Sequence, residues 1–498
     1  MEAWFIIIVS LCIAALLQAL ISLSSPRRNR LPPGPPALPL IGNLIWLRKS
    51  ISDLEHVLRL LKPDYGPIIT IHIARRVFIF VSGHSIAHRA LVQNGAVFAD
   101  RPGATATLTH LNAPRKTISA SSYGPTWRLL RRNLTQEILH PSRVRGYSAS
   151  RRWVLSLLMD RIRGSSAAPV RLIDHFQYAM FCLLVLLCFG DKLQESQIKE
   201  IEAIQRKYLL NFQRFAVLNF WPRLGRIIFR KRWKELIEIR GEQDRIMIPL
   251  IRGRIESKNM RNSNELVAYV DTLADLILPE EKRKLREEEI VSLCSEFLSA
   301  GTDTTSTALQ WIMANLVKHR EIQEKVYQEI IGVVELEGDV VEEEDLQKLP
   351  YLKAVVLEAL RRHPPAHFVL AHEVKEEVDL EGYRIPKDAY VNFMVADMNW
   401  DPEVWEEPME FRPERFVEAC AGEGFDVTGS REIKMMPFGA GRRVCPGFWM
   451  AMLHLEYLVA NLIRSFKWEA DDEVDLTEKQ ESTVVMKNPL RARISPRN

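Results

Sequence analysis

The chain has 498 residues, 47% hydrophobic and 26% charged, so it is a globular protein long enough to enclose a large core. A formal net charge of +4 is too small to argue for nucleic acid as a partner. Six widely scattered cysteines contain no C-x-x-C pair, which speaks against a disulfide framework or a zinc site and fits a reducing compartment.

Residues 3–23 form a charge-free apolar run, broken by Ser10, Gln18 and Ser22. As a helix it would extend roughly 31 Å, enough to cross a bilayer core. A cleaved signal peptide would begin with basic residues, whereas here Glu2 precedes the run and Arg27, Arg28 and Arg30 follow it. Residues 1–25 are therefore expected to be a transmembrane signal-anchor, with its basic end in the cytosol. Residues 26–43 are basic and then proline-rich (Leu31-Pro32-Pro33-Gly34-Pro35-Pro36), which predicts a stiff, extended hinge. No internal repeat or low-complexity linker follows, so residues 44–498 read as one large domain. Asn133-Leu134-Thr135 is a glycosylation sequon by pattern, but this topology puts it in the cytosol, unused.

Tyr123-Gly124-Pro125-Thr126-Trp127-Arg128 predicts a turn followed by a basic helix, with Trp127 and Arg131 four apart on one face. An exposed helix with a cation–π pair would explain the same residues. Residues 209–233 interleave aromatic and aliphatic side chains with Arg223, Arg226, Arg230, Lys231 and Arg232. Interior packing accounts for the apolar half, and the basic half suits a segment resting on an anionic membrane surface. Residues 287–320 predict one helix roughly 50 Å long. Its middle, Ala300-Gly301-Thr302-Asp303-Thr304-Thr305, is poor helix-forming sequence, and two helices joined by a polar turn would also fit. Apolar helical sequence resumes at once without proline, which favours a distorted but continuous helix, and such distortions usually have a functional cause. After Pro350, residues 351–363 predict a helix carrying Glu358 and Arg361 at i,i+3, a pair with little specificity alone.

Phe438-Gly439-Ala440-Gly441-Arg442-Arg443-Val444-Cys445-Pro446-Gly447 is the most informative stretch. Phe448, Met452, Leu455, Val459, Leu462 and Phe466 then recur at helical steps, so Cys445 lies just before a helix N-terminus. Unsatisfied N–H groups there favour thiolate over thiol. A lone cysteine is more often a buried structural residue. Five fixed positions in F-x-x-G-x-R-x-C-x-G would, however, match by chance with probability on the order of 10⁻⁴ for a chain of this size.

These stretches resemble, in order and spacing and over essentially the whole chain, the cytochrome P450 superfamily. The cysteine loop matches its haem-thiolate pattern, Ala300 to Thr305 its A-G-x-D-T-T helix, and Glu358 to Arg361 followed by Phe411-Arg412-Pro413-Glu414-Arg415-Phe416 its supporting network. Val391-Asn392-Phe393-Met394-Val395-Ala396-Asp397-Met398 looks most like plant microsomal A-type members, family 89 subfamily A among them. The resemblance implies a mostly α fold with small β-sheets, with haem b between the long helix and the Cys445 loop in a catalytic domain spanning 44–498.

It further implies that Cys445 is the axial iron ligand, that Phe438 packs beside the sulfur and that Gly441 shapes the loop. Arg443, Trp127, Arg131 and His372 would face the haem propionates; Ala371 stands where many plant relatives have proline before that histidine. Gly301 would leave room for oxygen, while Asp303 and Thr304 relay protons to it. Glu358, Arg361 and Arg415 would form a buried structural triad.

The implied reaction inserts one atom of O₂ into a small, lipophilic or medium-sized plant metabolite at the cytosolic face of the endoplasmic reticulum. Electrons would come from NADPH through a separate cytochrome P450 reductase, with cytochrome b5 as a further donor, docking on a basic surface that includes Lys434 and Arg442. Membrane lipid would contact residues 209–233, the substrate-entry lid. Candidate pocket positions are 105–117, Phe297, Ala300, 367–369 and 483–485. A reductase-independent haem-thiolate isomerase or dehydratase, and a non-catalytic membrane haem-binding protein, are the rival readings.

Overall fold

The computed structural model describes residues 31–36, 50–73, 76–103, 116–165, 168–215, 218, 227–257, 266–334, 340–422 and 424–497. The expected anchor, most of the hinge, pocket positions 105–115 and the tip of the 209–233 segment lie outside the described residues. The chain divides into two compact units, each assembled from three stretches.

The first unit draws on Met1–Pro102, Ala366–Pro408 and Asp426–Val444. Helix α1 (Ile51–Tyr65) starts with a reciprocal cap between Ser50 and Asp53 and stops at Gly66, whose φ of 82° leaves the helical region. Strand β1 (Ile68–Ile73) pairs antiparallel with β2 (Arg76–Val81). Two short strands from far along the chain complete this sheet: β3 (His372–Glu373) and β4 (Tyr390–Phe393), in the order β1-β2-β4-β3. Strand alternation divides the apolar residues between its faces. Ile79, Val81, Val391 and Phe393 join Leu91, Phe98 and Ala440 in one cluster, whereas Ile69, Ile71 and Phe80 pack with Leu58 of α1 in another.

The second unit, from Gly103–Pro365, Met409–Phe425 and Cys445–Asn498, is predominantly helical. Its main helices are α2 (Pro125–Asn133), α3 (Leu172–Phe189), α4 (Glu195–Phe215), α5 (Arg230–Glu256), α6 (Glu287–Lys318), α7 (Pro350–Arg362) and α8 (Phe448–Ser465). Helix α6 packs chiefly on α3 and also touches α5, α7 and α8. Among the described residues α3 is the helix long and apolar enough to cross a membrane, but most of it is buried inside the protein, as in a core helix. A hairpin of β5 (Glu478–Gln480) and β6 (Val484–Met486) lies near the C-terminus.

Helix α6 is unbroken through its glycine–threonine centre, as expected from the sequence, but ends two residues early at Lys318. His319 turns out of the helical region (φ −108°, ψ 80°), and a separate helix begins at Arg320.

Candidate haem-thiolate site

In the first unit, Gly439 and Gly441 adopt φ of 68° and 70°, a region that side chains oppose. A Cβ on Gly441 would lie 1.9 Å from the Leu91 carbonyl oxygen, so this turn accepts glycine alone. One short turn, Gly441–Arg443, follows, and Arg443 Nε donates to the Ala99 carbonyl at 2.7 Å. The described run from Pro437 to Phe448 stays half-accessible, apart from buried Ala440 and exposed Arg442 and including Phe438.

Cys445 opens the last stretch of the second unit, three residues before α8. Burial pushes its thiol upward, against the Gly447 N–H and the Arg131 charge, which favour thiolate. The helix N-terminus therefore contributes only the opposing pull. Desolvation outweighs that pull.

Helix α2 brings Trp127 and Arg131 onto one face, as expected. The Trp127 indole donates to the Ile118 carbonyl at 3.0 Å. Burial lowers the Arg131 pKa, with Cys445 acting in the opposite direction. Arg128 makes a cation–π contact with Tyr123 at 4.9 Å.

Most of α6 is buried, yet Ala300 and Thr304, one turn apart, are exposed in its interior. Thr304 Oγ1 donates to the Ala300 carbonyl at 2.6 Å, which fixes the hydroxyl and leaves its oxygen able to accept. Asp303 Oδ2 accepts from Ser482 Oγ at 3.0 Å. Burial raises the Asp303 pKa, Ser482 and Arg206 oppose it, and Glu481 adds to it. Gly301 faces the neighbouring helix: a Cβ there would lie 2.7 Å from Leu184 Cδ1, so packing against α3 accounts for this glycine.

Glu358 and Arg361 are fully buried and joined by two hydrogen bonds, Nε to Oε2 at 2.7 Å and NH2 to Oε1 at 2.8 Å. The Arg412 backbone N–H donates to Glu358 Oε1 at 2.8 Å and Arg415 Nε reaches the same oxygen at 3.4 Å. The three residues singled out in the sequence are thus brought together, and Arg412 adds a backbone contact that no side-chain pattern encodes.

His372 is buried in β3, with Nδ1 2.6 Å from the Phe98 carbonyl. Burial, with Arg101 and Arg443 nearby, holds its pKa well below the ordinary histidine value. Facing a carbonyl, Nδ1 carries the proton of the neutral ring, so Nε2 is an acceptor.

Ser482 was not recognised from the sequence, nor was Glu296, whose carboxylate accepts from the Ile118 and Ser119 N–H groups at 2.8 and 2.7 Å. Both contacts join segments distant in the chain, with no local signature.

A thiol ahead of a helix, a glycine-shaped loop, and a helix with an accessible Ala–Thr step are each features that a haem-thiolate protein would use. The cytochrome P450 family model matches residues 32–496. Cytochrome P450 89A9 of Arabidopsis thaliana is 48% identical, covering 99% of this chain and 98% of its own. Cytochrome P450 98A1 of Sorghum bicolor is 29% identical over 100% and 97%, respectively. A solved zebra fish cytochrome P450 structure with progesterone superposes with a TM-score of 0.76 at 22% identity, covering 89% of this chain and 99% of that one. The chain belongs to the cytochrome P450 family. It is a haem-thiolate monooxygenase, and its curated relatives include plant P450s. The donor set fits haem b: a single soft sulfur ligand for iron, and arginines suited to propionate carboxylates.

Proposed function

We propose that this protein is a membrane-anchored monooxygenase acting on a lipophilic or medium-sized plant metabolite, with electrons from NADPH delivered by a separate flavoprotein reductase. One atom of O₂ enters the substrate and the other leaves as water, consuming two electrons and two protons. The observation that carries this reading is the exposed Ala300–Thr304 step midway along a mostly buried helix.

Bound haem supplies oxygen binding and thiolate-assisted O–O cleavage. Cys445 would hold the iron, while Arg131 and Arg443 would neutralise the propionates. Phe438 would cover the sulfur, and Trp127 and His372 would brace the walls through their backbone hydrogen bonds. Thr304 would hold a proton-accepting position at Oγ1, with Asp303 beside it as the acid that replenishes the proton. The Glu358–Arg361–Arg415 cluster would keep the underlying scaffold rigid.

The anchor at 1–25 would place the protein on the endoplasmic reticulum, facing the cytosol. Ile227 and Ile228, exposed ahead of basic Arg230, Lys231 and Arg232, support a lid resting on lipid. The reductase is the principal partner, with cytochrome b5 as a further donor.

Thr304→Ala provides the test. The variant should keep its haem and its carbon monoxide difference spectrum, while product formed per NADPH falls about tenfold or more and hydrogen peroxide rises. Unchanged coupling would remove Thr304 from the relay, and turnover without NADPH would favour the isomerase reading.

A further inference from the structure

Asp303, Thr307 and Trp311 recur at four-residue steps, so they share one face of α6. Three consecutive residues of the β5–β6 hairpin meet them in register. Ser482 Oγ donates to Asp303 Oδ2 at 3.0 Å, the Thr483 and Thr307 hydroxyls lie 2.8 Å apart, and Trp311 Nε1 donates to the Val484 carbonyl at 2.8 Å.

The hairpin is itself braced. Glu481 N donates to the Thr483 carbonyl at 2.8 Å, and Val484 N to the Pro365 carbonyl at 2.9 Å. His363 Nδ1 lies 2.9 Å from Glu478 Oε1, while its ring stacks on Trp311 at 4.0 Å and 2°. Ser482 is therefore presented by a fixed element, although its own side is exposed and Asp303 is half-buried.

We propose that Ser482 is a positioning residue for proton delivery: the latched hairpin tip holds the Asp303 carboxylate at the water-facing end of the Thr304 relay. This rests on the reading of Asp303 as the relay's acid. The hydrogen bond favours the ionised carboxylate, opposing the upward push of burial. Other charged groups acting on Asp303 are Arg206 and Glu202 of α4 and Glu481 of the hairpin. Glu202 in turn feels Arg161 and Asp174. Removing the Ser482 hydroxyl therefore loosens the acid and raises its pKa at once.

The test uses full-length, haem-loaded protein carrying Ser482→Ala, Ser482→Thr or Asp303→Asn, each with its carbon monoxide spectrum at full amplitude. An infrared titration without reductase follows the protonated carboxyl band of Asp303, assigned by its loss in Asp303→Asn. A second assay measures product and hydrogen peroxide per NADPH. In Ser482→Ala the band's midpoint should move to higher pH and coupling should fall about three- to tenfold. Ser482→Thr should restore both. A wild-type midpoint in Ser482→Ala, or a coupling loss that threonine does not rescue, would overturn the positioning role while leaving the relay standing. Wild-type coupling in Asp303→Asn would overturn the relay itself, and the proposal with it.

Discussion

Glu358 and Arg361 have no access to water, so their charges are balanced by protein groups: by one another, by the Arg412 N–H and Arg415 Nε at Glu358, and by the Glu410 carbonyl at Arg361. Glu358→Gln would strand a buried guanidinium and should destabilise the protein by about 3–5 kcal/mol. The readout is a lower urea midpoint with an unchanged slope. This pair was legible because i,i+3 spacing makes its members neighbours on any helix, and the F-R-P-E-R-F stretch supplied Arg415. Cys445 and Thr304 are candidates from their local patterns alone. Ser482 is not: it meets Asp303 across 179 residues, and nothing near either residue announces the contact. Trp127 shows a second limit, because its face could be read from the sequence but not the backbone oxygen its indole would find.

At the scale of elements, α6 continues through residues of weak helical propensity because packing on both sides compensates for them. Gly301 lets α3 approach, and Ser306 Oγ returns to the Thr302 carbonyl at 2.6 Å within the same helix. Periodicity located this helix but placed its end two residues too late, since the dihedral break at His319 leaves no mark in the apolar pattern. Helix α8 carries a different vulnerability. Burial, with Arg151 nearby, depresses its His454 pKa to about 3, and Nε2 has no hydrogen-bond partner among the described residues. The unfolded chain takes up this proton near the ordinary value of 6.5, whereas the folded protein resists until about 3. Stability from this group is therefore present above 6.5 and is lost as pH falls through that window. His454→Leu should flatten the decline in thermal midpoint between pH 7 and 5 if packing is preserved.

For the whole molecule, family membership was readable along nearly the full length, because the motifs are local and ordered. The substrate was not, since pocket shape depends on side chains from many separated stretches. Electron supply also belongs to this scale. Arg442 is exposed in the cysteine loop. If an acidic reductase surface docks there, Arg442→Glu should raise the apparent KM for reductase about two- to fivefold at low ionic strength. The difference should shrink as salt increases, because the attraction is screened. The hinge bears on how the protein would stand at a bilayer. The Pro33 carbonyl accepts from Thr70 N at 2.8 Å, and a Cβ on Gly34 would lie 1.9 Å from the Thr70 oxygen. The proline segment is thus stitched to edge strand β1 before it reaches the proposed anchor. If residues 1–25 anchor the protein, this stitch would fix the point on the first unit from which the tether leaves the fold.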